Sequence, residues 1–191
     1  MDSAQDTPIS EFLSLLGDRQ AEIQGFDRYL AEHTTWLTAP ASTRFHLPQE
    51  GGLVEHSRNV VETMLKLRDT LAPDVSVESC VLVGLYHDVG KVGMPGRPYY
   101  LLNEEEAASS VNRPRYRVNK DLVHMDIATR SLFLVSQHVA LSDEEAQAIR
   151  YHDGQYIDEN QSVAHRECRL TRLVQYADNW SGGVLEERGG S

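Results

Sequence analysis

The amino-acid sequence predicts an all-α protein folded as a single compact helical bundle. Three observations lead there. Apolar residues recur at helical spacing in successive segments. Helix-start signals precede some of those segments. A chain of 191 residues with no internal repeat or low-complexity tract suits one domain with a real core.

The elements follow in order. Ser10 is placed to cap a short helix through Leu16, ended by Gly17. A second helix is expected from Ile23 to Thr34, followed by the Pro-, Ser- and Gly-rich loop TAPASTRFHLPQEGG. From about Leu53 to Thr70, Val60, Val61, Met64, Leu65 and Leu67 form the stripe of an amphipathic helix. The stretch VESCVLVGLYHDVG is apolar nearly all round, which suits a buried central helix stopped by Gly90. Its β-branched valines also allow a strand. Helical spacing returns from Leu122 to Ser136. Ser142 and Glu145 form a capping box that opens a helix to Tyr151. A last helix, about Val163 to Trp180, gathers Leu170, Leu173, Val174 and Ala177 on one face.

Residues 1–50 are thus expected as N-terminal helices packed on a core of 51–182, with 183–191 a flexible tail. The stretch from Val92 to Lys120 stands apart, because Pro95, Gly96, Pro98 and Pro114 interrupt it and no periodicity is visible. A loop that long inside a compact domain points to function.

Composition narrows the function. A net charge of −11 argues against a broad, non-specific nucleic-acid surface, though not against a small anionic substrate met by a local basic patch. The start MDSAQDTPIS lacks the basic and apolar regions of a signal peptide, and no apolar run approaches the ~18 residues of a membrane span. Cys80 and Cys168 imply no disulfide framework and are expected as core thiols, so a cytoplasmic setting is the default expectation. Trp36 and Trp180 are expected as core or rim anchors.

The chemistry is carried by separated histidines and carboxylates. His56 lies in GGLVEHSRNVV, His87 and Asp88 in LYHDVGKVG, and Asp178 in LVQYADNW. A carboxylate beside an imidazole at the end of an apolar helix is costly to bury unless a cation or partner compensates it. Imidazole with carboxylate suits Mn, Fe, Zn, Co or Ni, and such a set leaves positions open for water.

The order His56, His87-Asp88, Asp178, with GGLVEHS, HDVGK and YADNW around them, resembles the HD superfamily of metal-dependent phosphohydrolases over about 53–180. The resemblance implies an HD-domain helical fold and a divalent metal held by His56, His87, Asp88 and Asp178. It also implies hydrolysis of a phosphate ester or anhydride by a metal-activated water. Larger members of the superfamily add two histidines for a second metal. His124, in DLVHMDIATRS on an expected helix, and His152 look similar to those positions. Here His152-Asp153-Gly154 stands where such relatives often show His-His-Gly, so second-metal and substrate-binding roles for His124, His152 and Asp153 both stay open. His33, His46, His138 and His165 have no partner pattern and are expected as non-ligands.

From Lys91 to Lys120 the chain is about +3, through Lys91, Arg97, Arg113, Arg115, Arg117 and Lys120 against Glu104, Glu105 and Glu106. Arginine offers bidentate donors to phosphate, and Tyr99, Tyr100 and Tyr116 offer faces for a base. Asp88 is the expected proton acceptor and Lys91 the group that neutralises a phosphoryl oxygen. The function expected is hydrolysis of a nucleotide, a deoxynucleoside mono- or triphosphate. A phosphodiesterase acting on cyclic nucleotides or nucleic-acid 3′ ends and a non-catalytic nucleotide-sensing module are the alternatives. A homodimer through the apolar faces of the first two helices is a further expectation.

Overall fold

The computed structural model describes residues 9–103 and 115–186 of the chain. Arg113 and Glu104, Glu105 and Glu106, singled out above, lie outside them. Two helices, α2 (Gly52–Leu71) and α3 (Val77–Tyr86), pack against each other at the centre. Every residue of α3 from Cys80 to Tyr86 is buried, so the apolar run is a central helix and the strand reading falls away. Ser76 caps it by accepting from Ser79 N–H. Close crossing depends on Gly84. A Cβ there would sit 2.7 Å from Val61 Cγ2 and 3.0 Å from its Cα, so only hydrogen lets the two backbones approach.

Around this pair the chain lays α1 (Gln20–His33) before them and α4 (Ile127–Ser136), α5 (Asp143–Arg150) and α6 (Arg169–Trp180) after. α6 packs on α2 and on α5, and α5 on α4. Ile23, Phe26, Leu30 and Trp36 belong to the same apolar core as α2 and α3. Phe26 meets the Tyr86 ring edge-on at 4.9 Å. The apolar face of α1, read above as a dimer surface, is therefore spent inside the protomer. The Ser142–Glu145 capping box forms as expected. Its Glu145 is buried and also accepts from Arg19 at 2.5 Å and Ser79 at 2.7 Å, which ties α5 to α3 and the N-terminal segment.

Several expectations are corrected. Ser10–Leu15 is a 3-10 helix capped at Ile9 with no side-chain bond, so Ser10 is not its cap. α3 ends at Tyr86, ahead of Gly90, and the chain continues as a 3-10 turn, Val89–Val92. Gly90 instead serves a close approach: a Cβ would sit 2.3 Å from Ile127 O, at the start of α4. The expected long loop contains a two-stranded antiparallel hairpin, β1 (Tyr100–Leu102) with β2 (Tyr116–Val118), in register Leu101 to Arg117. α4 begins at Ile127, because Asp126 caps it through Thr129 N–H, so His124 is not on a helix. Likewise α6 begins at Arg169, and Cys168, expected as a core thiol, accepts at its N-terminus from Thr171 N–H at 3.4 Å. Cys80 is fully buried as expected. Trp36 is a core anchor, whereas Trp180 is exposed. Beyond α6 the chain makes a π-helical turn, Ser181–Leu185, whose Val184 and Leu185 stay exposed, and then buries Glu186 within the segment expected as a tail. No described helix is long and apolar enough to cross a membrane.

Candidate metal centre

Four helix ends bring the polar cluster together. His56 lies early in α2, among its buried positions. His87 follows α3 and keeps its helical bond, N–H to Val83 O at 2.8 Å, so the ring leaves the apolar helix at a defined angle. Asp88 opens the 3-10 turn, which returns Lys91 over it to form an ion pair with Oδ2. Asp178 lies in the last turns of α6, and His152 immediately follows α5.

The histidines are locked from behind. His87 Nδ1–H donates to Gly84 O at 2.9 Å, and His152 Nδ1–H donates to Ile149 O at 2.9 Å. His56 Nδ1 lies 3.0 Å from each oxygen of Glu186. Each ring thereby presents Nε2 to the cluster. His56 Nε2 is 3.1 Å from Asp178 Oδ1 and 3.7 Å from Asp88 Oδ2. His87 Nε2 is 3.7 Å from Asp88 Oδ2 and 3.8 Å from Asp178 Oδ1. His152 Nε2 is 3.4 Å from Asp88 Oδ1. Neither His56 Nε2 nor His87 Nε2 has a hydrogen-bond partner, although both are buried. Nitrogen lone pairs and carboxylate oxygens aimed at a common point, with the opposite ring nitrogens tied down, form the donor arrangement of a divalent cation. The sets His56–His87–Asp178, His87–Asp88–His152 and, behind His56, His46–His56–Glu186 each could hold one.

Electrostatics bear the same stamp. Burial opposes charge on His56, yet Asp178 and Glu186 overcome it and raise the ring to about 9. Burial also opposes charge on His152, and Asp88 and Asp153 raise it to about 9. For His87 burial wins, and its neutral form is favoured down to about 4. Burial would push Asp88 up, but Lys91 and the histidines hold it well below the usual carboxylate range. Asp178 is held low by His56 against the same penalty. Imidazolium protons and the Lys91 ammonium thus balance the buried carboxylates, and a dication can take the place of those protons.

The structure brings together His56, His87, Asp88, Lys91, His152 and Asp178. Asp153 stands at the rim, 3.6 Å from His152 Nε2 and 42% exposed. His124 is exposed and has no ion pair or hydrogen bond with the cluster among the described residues. Arg97, Arg115, Arg117 and Lys120 are likewise exposed and unbonded to it. Arg115 instead lies 5.5 Å over Tyr116, and Tyr99 lies 5.0 Å beneath Arg130. Two neighbours escaped the sequence reading, and a third, Tyr100, was read there only as a face for a base. Glu186 lay in a segment expected to fray. His46, expected to stand alone, has its ring 5.0 Å from that of His56. Tyr100 lies beside Lys91; burial pushes its phenol up to about 12, and Lys91 partly offsets the shift. No local pattern marks His46, or Glu186, which arrives from a segment 130 residues from His56.

Comparison with known families places this geometry. The family model described as HD domain matches residues 53–182, and the chain belongs to that family. The HD domain is that of the metal-dependent phosphohydrolase superfamily, and this chain has groups of His and Asp that could hold a metal. No curated protein and no solved structure matches the chain.

Proposed function

We propose that this chain is a metal-dependent hydrolase of nucleotide phosphates, working with one divalent cation held by His56, His87, Asp88 and Asp178. The observation that carries the reading is the pair of buried, unbonded Nε2 atoms on His56 and His87, both facing carboxylate oxygens. When bound, the cation supplies Lewis acidity toward water and phosphoryl oxygen. Support for a single ion comes from His87. Its Nδ1 is committed to Gly84, which leaves one lone pair, on Nε2, for the two candidate sets that contain His87. One lone pair serves one metal, so His152 is a further donor to that ion or a contact for the substrate. His124 has no geometric support as a ligand.

Asp88 is positioned to accept a proton, being buried and ionised, with His152 Nε2 3.4 Å away. Lys91 spends one N–H on Asp88 and has two more for a phosphoryl oxygen. Nucleotides are favoured by the hairpin. A cavity of about 380 Å³ is lined by Tyr100, Tyr116 and Arg115, and Tyr100 also lies beside Lys91. An aromatic wall next to a phosphate-binding cation suits a base joined to a phosphate. Arg97, Arg117 and Lys120, exposed nearby in sequence, are assigned to attracting the anion and not to holding it.

The test is elemental analysis of the purified protein together with phosphate release from a panel, with and without Mn²⁺. The panel holds deoxy- and ribonucleoside mono- and triphosphates, cyclic dinucleotides and bis-p-nitrophenyl phosphate. One metal per chain with release from a nucleoside phosphate, lost in Asp88→Ala, is the expected result. Activity on diesters alone would move the assignment to a phosphodiesterase. Tight nucleotide binding with no turnover would make the chain a sensor.

A further inference from the structure

The metal centre described above leaves one buried carboxylate unexplained. Glu186 lies six residues beyond the end of α6, carried there by the Ser181–Leu185 turn, and is 6% exposed. Both its oxygens lie 3.0 Å from His56 Nδ1, on the side of the ring away from Asp88, Asp178 and His87. Asn59, one turn along α2 from His56, donates to Glu186 Oε1 at 2.9 Å and fixes the carboxylate. Among the described residues, His46 packs against the His56 ring at 5.0 Å without a hydrogen bond to it, and with His56 and Glu186 it forms a third group that could hold a cation.

We propose that Glu186 is a positioning residue for the metal centre. It holds His56 with its proton on Nδ1 and its Nε2 lone pair aimed at the cation. The inference rests on the metal reading given under Proposed function. The physical ground is that an imidazole ligand is oriented, and made a stronger donor, by an acceptor on its other nitrogen. His87 and His152 obtain that acceptor from carbonyls of their own helices, three residues back. His56, early in α2, has its Nδ1 bonded to a carboxylate instead, from a part of the chain 130 residues away. A carboxylate also makes a more basic ligand than a carbonyl does. The C-terminal turn thereby becomes part of the site, and metal affinity depends on its seating against α2.

The experiment compares Glu186→Ala, Glu186→Gln and His56→Ala by chelator competition for Mn²⁺ and Zn²⁺, with melting of the metal-free proteins alongside. Glu186→Ala is expected to weaken metal binding about 10- to 100-fold. Glu186→Gln, which keeps an acceptor oxygen but not its charge, should fall between it and the native protein. In zinc-loaded protein labelled at histidine, the His56 Nδ1 proton should be slow to exchange and lost in Glu186→Ala. Should Glu186→Ala fail to fold, the isosteric Glu186→Gln decides alone. Native metal affinity in the glutamate variants, with only the melting temperature lowered, would make Glu186 a structural clasp and overturn the inference. That failure is separable from failure of the metal reading, in which His56→Ala itself would bind metal as the native protein does, overturning both.

Discussion

At the scale of single residues, Asp88 and Lys91 are each buried and each satisfied by the other. Removing one member of such a pair leaves an uncompensated charge, which costs about 3–5 kcal/mol. Asp88→Ala, stripped of metal, should therefore lose about that much in urea unfolding, because Lys91 is stranded beside His56 and His87. A loss below about 1 kcal/mol would mean that the lysine finds water on rearrangement. His87 offers a cleaner probe of binding, since its ring carries one free lone pair into the cluster and its neutral form is already favoured. His87→Ala should retain the helical circular dichroism signal and fall to less than about a tenth of the native metal content by elemental analysis.

At the scale of elements, glycines set how closely segments approach, and Gly90 is one that lies beside the chemistry. Gly90 places the Asp88–Lys91 turn against α4, where an added methyl would meet Ile127 O at 2.3 Å. Backbone cannot yield as a side-chain tip does, so Gly90→Ala should cost about 1–3 kcal/mol and weaken metal binding by displacing Asp88. Chemical denaturation and chelator competition on one preparation would check both effects; full stability with native affinity would contradict the packing account. Ser142 acts on an element too, but through its cap. Ser142→Ala should cost about 1 kcal/mol by calorimetry, since Glu145 stays held by Arg19 and Ser79.

For the whole molecule, the cluster couples stability to pH. His56 and His152 are raised to about 9 from an unfolded value near 6.5, so the stability they contribute is complete below about 6.5. It is lost as pH rises through 9. His87 is depressed to about 4, so below 6.5 the unfolded chain takes up a proton that the folded one refuses, and stability falls toward acid. The metal-free protein should therefore melt highest near pH 6.5. Metal reverses the alkaline limb, because ligation needs deprotonated imidazoles, so the rise in melting temperature on adding Mn²⁺ should grow between pH 6.5 and 9. A metal-induced shift that shrank over that range would show that the cation is not replacing those protons.

How much of this was legible before folding depends on the range of the interaction involved. The amino-acid sequence by itself determined the helical class, the buried character of α3, the capping box at Ser142 and Glu145, and the spaced His56, His87-Asp88 and Asp178. Each of these is written in local periodicity or in a short motif. It also singled out Lys91, which the structure sets against Asp88 on one turn. Helix starts were misplaced where a cap outbid apolar spacing, as Asp126 does for α4, and the hairpin was missed because pairing of Leu101 with Arg117 is non-local. Only the tertiary structure decided which polar residues share the centre. It admitted His152 and left His124, Arg97, Arg115 and Arg117 outside. It brought in Glu186 and His46, which carry no signal in their own neighbourhoods. The reason is physical: a metal-binding cluster is a meeting of helix ends, and which ends meet is settled by core packing over the whole chain and not by the residues beside each ligand.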